Sequence, residues 1–461
     1  MRRFAPVFLL CCVALVLFFH QEESPNPFSR LLTPFALVES HGLEADAWGA
    51  EAYDKAVVGG HTYSDKAPLS SLIVLPFYAA MRLAEGGPQT RADIARAVHL
   101  GTLVCAAIPF SLFALLLLWR ARREGASATV ATVVALGCVF GTFAFNYGGA
   151  FFGHMLAATF LVGGWALAVE KKERFVLAGF LGGCSVLTEY PLVLLQAAVV
   201  LMLVLGPQGM KRARSYVLGA SPCAVLLLVW NLAVTGSAFD FPYSHVPAAF
   251  QQMHHQFGFS RPDFTALWEL CFGQFRGAFF YAPALLLFLP LRAFDVSSKL
   301  RRNTVLAACL AYLLFVSSYF QWDGGWCTGP RHLLPAVALL LYEGAGLLAR
   351  QPRFWKAFAG LSLFGLGVNL LAVATNPCPN DAAKYPVAQI WWPRLVHGAT
   401  ADAILVDLGA PRGAYLVGLW VGLAIALSGL LVYLARRWLD EVAPEDVAAP
   451  QCASSSRAMR L

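Results

Sequence analysis

Apolar runs recur along this 461-residue chain, with short clusters of arginine and lysine between them. A run of about 18 or more apolar residues can cross a bilayer as a helix, and a water-soluble fold has little room to bury many such runs. Composition agrees, with 58% apolar residues, only 13% charged ones and a mean hydropathy of +0.61. The alternating segments of about ten residues that a transmembrane barrel requires are not visible. The sequence predicts an all-α, polytopic transmembrane helical bundle.

The apolar runs place about 12 spans at 4–20, 95–119, 126–145, 150–169, 175–189, 191–206, 216–234, 277–293, 303–321, 332–349, 357–375 and 413–435. Charge orients them. With the N-terminus in the cytoplasm, the inner gaps and both ends hold 22 of the 34 basic residues, including Arg120/Arg122/Arg123, Lys211/Arg212/Arg214 and Arg350/Arg353/Lys356. That excess is how the positive-inside rule sets topology. It also accounts for the net charge of +7, which is no sign of a nucleic-acid partner.

The first span, behind Arg2-Arg3, has the charge and length of a signal peptide but lacks a clear small-x-small cleavage site, so it reads as an uncleaved anchor. Residues 69–86 also read as apolar. Making them a span would invert every later loop, and Pro76 and Arg82 interrupt them. They are expected to form an interfacial or partly re-entrant helix in a long first outer loop, about 21–94. Within 175–206 two short spans must fit, with the break at Thr188-Glu189-Tyr190-Pro191 because proline disfavours helix at the residue before it. The main domain is 1–436, and 437–461 is a polar cytoplasmic tail.

Chemistry is sought where polar residues collect on the outer side. The first outer loop carries Asp46, Asp54, Asp65 and Lys66 in a run ending Tyr63-Ser64-Asp65-Lys66-Ala67-Pro68. A carboxylate can take a proton from an attacking hydroxyl, and a cation can stabilise a leaving phosphate. The alternative is an ordinary solvated loop. His154 stands at the outer mouth of a span behind a glycine-rich turn. Glu189 is an intramembrane acid, a costly placement that calls for a cavity or a basic partner. Glu343, near the inner end of its span, fits a structural pair with an arginine. The turn Gln321-Trp322-Asp323-Gly324-Gly325-Trp326-Cys327-Thr328-Gly329-Pro330-Arg331-His332 combines glycines that admit a ligand, tryptophans able to stack on a sugar and a guanidinium matched to phosphate. Arg276 opens a later span and could reach a phosphate or snorkel. Cys327 and Cys378 share the outer side, which leaves a disulfide between their loops open. No metal-ligand spacing is visible.

Taken in order, Gly60-His61-Thr62-Tyr63-Ser64-Asp65-Lys66-Ala67-Pro68, Gly141 to Tyr147 with Gly153-His154, Leu187-Thr188-Glu189-Tyr190-Pro191, and Trp322 to Trp326 with Gly329-Pro330-Arg331-His332 resemble bacterial integral-membrane glycosyltransferases of the GT-C superfamily. The nearest branch is the protein mannosyltransferase and aminoarabinose-transferase-like group. The resemblance implies transfer of a sugar from a polyprenyl-phosphate donor to a lipid, glycan or protein acceptor, at the outer face of a bacterial inner membrane. It implies an acidic base in the first outer loop, here Asp54 or, second, Asp46. Lys66, Arg331 and Arg276 would meet the donor phosphate, and Tyr63, His154, Glu189, Trp322, Asp323 and His332 would contact substrate. The group's usual Asp-Glu pair after the first span is replaced by Asn26-Pro27-Phe28-Ser29-Arg30. No cofactor is implied with certainty, and a divalent cation is left open. The competing readings are a flippase of lipid-linked sugars and a glycan ligase or polymerase.

Overall fold

The computed structural model describes residues 25–169, 174–247, 258–289 and 298–401, with isolated positions near either end. The chain enters through α1 (Pro25–Phe35), a β-hairpin of β1 (Ala56–Val58) and β2 (His61–Tyr63), and α2 (Leu69–Glu85). The apolar helices follow: α3 (Arg91–Arg123), α4 (Ala128–Phe140), the short α5 (Ala144–Gly148), α6 (Gly153–Val169), α7 (Phe175–Thr188), α8 (Tyr190–Leu205) and α9 (Gly209–Thr235). Beyond them lie α10 (Phe264–Cys271), α11 (Ala278–Tyr281), α12 (Lys299–Ser317), α13 (Arg331–Arg350), α14 (Trp355–Thr375) and α15 (Trp392–Val396).

Among the described residues, five helices (α3, α9, α12, α13 and α14) are long and apolar enough to cross a membrane. Four shorter apolar helices, α4, α6, α7 and α8, accompany them. This covers nine of the ten spans expected between 95 and 375. The tenth, 277–293, is not one helix. Ala282 leaves the helical region (φ −144°, ψ 61°) and a tight turn, Pro283–Leu287, follows. Pro283 excludes helical backbone from the residue before it, which apolar composition alone does not reveal. The expected first and last spans and the tail fall almost wholly outside the described residues, so the total of about 12 is not reached among them.

Local sequence explains the helix ends. Thr90 and Asp93 form a reciprocal capping box at the start of α3, and Ser127 and Ser298 cap α4 and α12. The expected break at Glu189 is present: α7 stops at Thr188, Glu189 is extended, and α8 restarts with a tight turn at Tyr190–Leu192. At the opposite, basic end of the bundle, buried Glu343 accepts hydrogen bonds from Arg301 (2.9 Å) and Trp165 (2.8 Å), the structural pairing its position implied.

The first loop has its own small core, in which Leu31, Leu32 and Phe35 of α1 pack on Val74 and Tyr78 of α2 and on Trp48. The 17-residue α2 is about 25 Å long, short of a bilayer core of about 30 Å. Arg82 lies on its buried face and reaches Glu39 (2.7 Å) and Asp93 (3.2 Å), so the charge that disfavoured a span is used to tie the loop to α3.

Candidate functional site

Where the first loop meets α6, the α7–α8 break and the turn before α13, the structure encloses a cavity of about 870 Å³. Asp54, Lys66, His154, Glu189, Arg331 and His332 all line it. Five of the eleven sequence candidates do not: Asp46, Tyr63, Arg276, Trp322 and Asp323.

Lys66 is the centre of the first-loop wall. Its ammonium donates to Asp54 (2.9 Å) and to Asp65 (2.8 Å), and Asp65 also accepts from Ser29 of α1 at 2.6 Å. Burial opposes ionisation of Asp54, but the charge and hydrogen bond of Lys66, with Arg331 and Arg30 behind it, hold the carboxyl below its ordinary range. Burial likewise opposes the Lys66 charge, and the two aspartates raise it above the ordinary lysine value.

A second ion pair closes the floor. Arg30 of α1 is buried and uses its whole guanidinium, donating to Asn26 (3.0 Å), Ser70 (3.1 Å) and Glu189 (2.7 Å). The same Glu189 oxygen lies 3.4 Å from His154 Nδ1. Gly153 admits this arrangement, since a Cβ there would stand 2.5 Å from Glu189 Oε1 and 2.8 Å from Arg30 Nη1. The His154 ring is confined by Tyr147, Phe152 and His332 at centroid distances of 5.5–6.1 Å.

The far wall comes from the turn before α13. Gly324 and Gly325 both have positive φ (+77° and +65°), and a Cβ on Gly324 would meet Arg331 Nε at 2.9 Å. Arg331 lies over the Phe152 ring, and no ion pair or side-chain hydrogen bond is seen for it among the described residues. Among the described residues, four buried polar atoms of cavity-lining side chains lack partners: Arg331 Nε, His154 Nε2, His332 Nε2 and Tyr190 OH. Buried donors and acceptors are rarely left so, and this concentration marks a place for a polar ligand. Towards α8 and α12 the lining turns apolar, with Val193, Phe241, Phe259, Phe315 and Val316.

The remaining candidates sit elsewhere. Asp46 is on the exposed side of the hairpin, where it accepts from Thr62 N (2.6 Å) and pairs with His61 (2.8 Å), contacts that hold its carboxyl below the ordinary range. With Glu44 it forms the one cluster of potential metal ligands among the described residues, exposed and off the cavity lining. Arg276 is fully buried beneath the glycine turn, donating to the carbonyls of Asp323 and Gly325 at 2.6 Å each. It shapes the turn that presents Arg331. Trp322 packs against the main core, the Asp323 carboxylate caps Gly325 N, and Tyr63 ends β2. Among the described residues no disulfide joins Cys327 to Cys378.

Arg30 and Tyr190 escaped the sequence reading, although a signal for Arg30 existed: an intramembrane Glu189 calls for a cation, and Arg30 is the only basic residue between the first span and Asp46. No family model matches the sequence, and no curated protein matches it. Among solved structures, the fold is similar to that of ArnT from Cupriavidus metallidurans, determined bound to undecaprenyl phosphate. The match has a TM-score of 0.52 at 15% identity and covers 95% of this chain and 77% of that one. The chain therefore shares the fold of that membrane protein.

Proposed function

We propose that this protein transfers a sugar from a polyprenyl-phosphate carrier to a lipid, glycan or protein acceptor at the outer face of a bacterial inner membrane. One observation carries the reading: a single cavity joins Arg331, a guanidinium with no ion pair among the described residues, to a wall of valine and aromatic side chains. A phosphate esterified to an isoprenoid has that polarity, anionic at one end and apolar at the other. The shared fold supports the same reading, since the ArnT structure holds such a lipid.

In this reading Arg331 meets the phosphate as a forked donor and Lys66 adds a second cation. Asp54, rather than Asp46, is the aspartate at the reacting centre, where it orients Lys66. Inverting displacement leaves charge on the phosphate, and fixed, preorganised cations in a buried cavity stabilise that charge more than water does.

The test is transfer from radiolabelled polyprenyl-phosphate sugars in membrane vesicles. Arg331→Gln should raise the donor KM by about 10- to 100-fold, the value of one charged hydrogen bond. An unchanged donor KM, or lipid translocation without transfer, would overturn the proposal in favour of a flippase.

A further inference from the structure

We infer that His154, backed by Glu189 and Arg30, is the group that takes the acceptor's proton. The inference rests on the transfer reading above and assigns its base. The first-loop carboxylates are already committed: the Lys66 ammonium occupies Asp54 Oδ2 and Asp65 Oδ2, and Ser29 occupies the other Asp65 oxygen. Protonating either would break a buried ion pair.

His154 has the opposite situation. Its Nδ1 faces Glu189 Oε1 at 3.4 Å, while its buried Nε2, in a cavity-lining residue, has no partner among the described residues. A carboxylate beside Nδ1 favours the tautomer with the proton on Nδ1, which leaves a free lone pair on Nε2. Arg30 holds the same Glu189 oxygen from the other side at 2.7 Å. The three groups form a buried line from α1 through the α7–α8 break to the start of α6, and Gly153 leaves room for it. Phe152 stacks on His154 and also lies under Arg331, so base and phosphate donor share one aromatic neighbour.

The step balances. Nε2 takes the proton as the acceptor O–H bond breaks, and the acceptor oxygen bonds to the anomeric carbon. The bond from that carbon to the phosphate oxygen breaks, and its electron pair leaves on the phosphate beside Arg331. Glu189 balances the imidazolium until the proton passes to phosphate or water. His154 is thus a catalytic residue, and Glu189 and Arg30 are positioning residues.

The test uses the full-length protein in vesicles with the donor that wild type turns over, and undecaprenyl phosphate as the binding probe. His154→Ala should lower turnover at saturating donor by about 100-fold or more, the usual contribution of a general base. Its affinity for undecaprenyl phosphate should stay within about threefold, and added imidazole should restore turnover at least about tenfold, because only the proton acceptor is missing. His154→Gln, which keeps a polar side chain but cannot take the proton, should remain as slow. Glu189→Gln should cost about tenfold, and the His154→Ala/Glu189→Gln double variant should be no slower than His154→Ala, because groups acting as a unit are not additive. Turnover of His154→Ala close to wild type, or a loss that imidazole does not relieve, would overturn the assignment. Wild type that binds undecaprenyl phosphate yet transfers from no polyprenyl-phosphate sugar would instead overturn the transfer reading and this inference with it.

Discussion

The Arg30–Glu189 pair makes a quantitative demand on stability. The Arg30 side chain is 2% exposed and that of Glu189 18%, so Arg30→Met leaves a carboxylate largely shut off from water with only the His154 imidazole, 3.4 Å away, beside it. Breaking a buried pair from one side costs about 3–5 kcal/mol. Glu189 lines a cavity that water can enter, which favours the low end, about 3 kcal/mol. Arg30 also gives up bonds to Asn26 and Ser70, each worth about 1 kcal/mol net. A total near 4 to 5 kcal/mol follows for Arg30→Met. Adding Glu189→Gln removes the stranded charge and should recover about 2 kcal/mol, so the cycle should be non-additive by that amount. Unfolding in mixed micelles, followed by the fluorescence of the 12 tryptophans, measures all three variants. An Arg30→Met protein as stable as wild type, or a double variant that loses the sum of both single losses, would refute the reasoning.

Other consequences are equally concrete. Gly153→Ala places a methyl 2.5 Å from Glu189 Oε1, and because Arg30 is held from three sides the strain should cost about 1–3 kcal/mol and slow transfer, read by micellar unfolding and the vesicle assay. The Asp54 carboxyl is held below its ordinary range, so its contribution to stability is complete above the unfolded carboxylate value and is lost as pH falls through the lowered one. Lys66 is raised, so its contribution is complete below the ordinary lysine value and is lost only as pH rises through the raised one. An unfolding profile should therefore have an acid limb that Asp54→Asn weakens and no change from this pair near neutrality. Asp46→Asn should reduce transfer far less than Asp54→Asn, since Asp46 faces solvent and binds the hairpin; equal losses in the vesicle assay would contradict the placement.

Much of the fold was legible because its signals are local. Proline disfavours helix at the residue before it, and the α7–α8 break before Pro191 follows that rule, although α2 and α9 carry Pro76 and Pro222 inside them. Pro283 carries the same information, yet the surrounding apolar residues of 277–293 masked it. The β-hairpin was also written in the chain. Gly59-Gly60, both at positive φ, is a two-residue turn between Ala56-Val57-Val58 and His61-Thr62-Tyr63. Reading it would have separated the two aspartates: Asp46 bonds to the hairpin's outer strand, whereas Asp54 leads into its first strand and turns to Lys66.

The site was less legible because its selectivity depends on which charges find partners. Arg276 and Arg331 give the same sequence signal, each an arginine within two residues of a glycine near an outer mouth. In the structure Arg276 spends its donors on three carbonyls, that of Phe275 and those of Asp323 and Gly325 in the glycine turn, and its charge is committed beneath the backbone. That same turn leaves Arg331 facing the cavity with Nε unsatisfied. The pair shows why residue type at a given spacing falls short of a site: identical cations become scaffold or ligand donor according to whether carbonyls elsewhere in the fold reach them first. The same logic separates Asp54, paired with Lys66, from His154, whose Nε2 has no partner among the described residues, and it is why the base is proposed at the mouth of α6 rather than in the first loop.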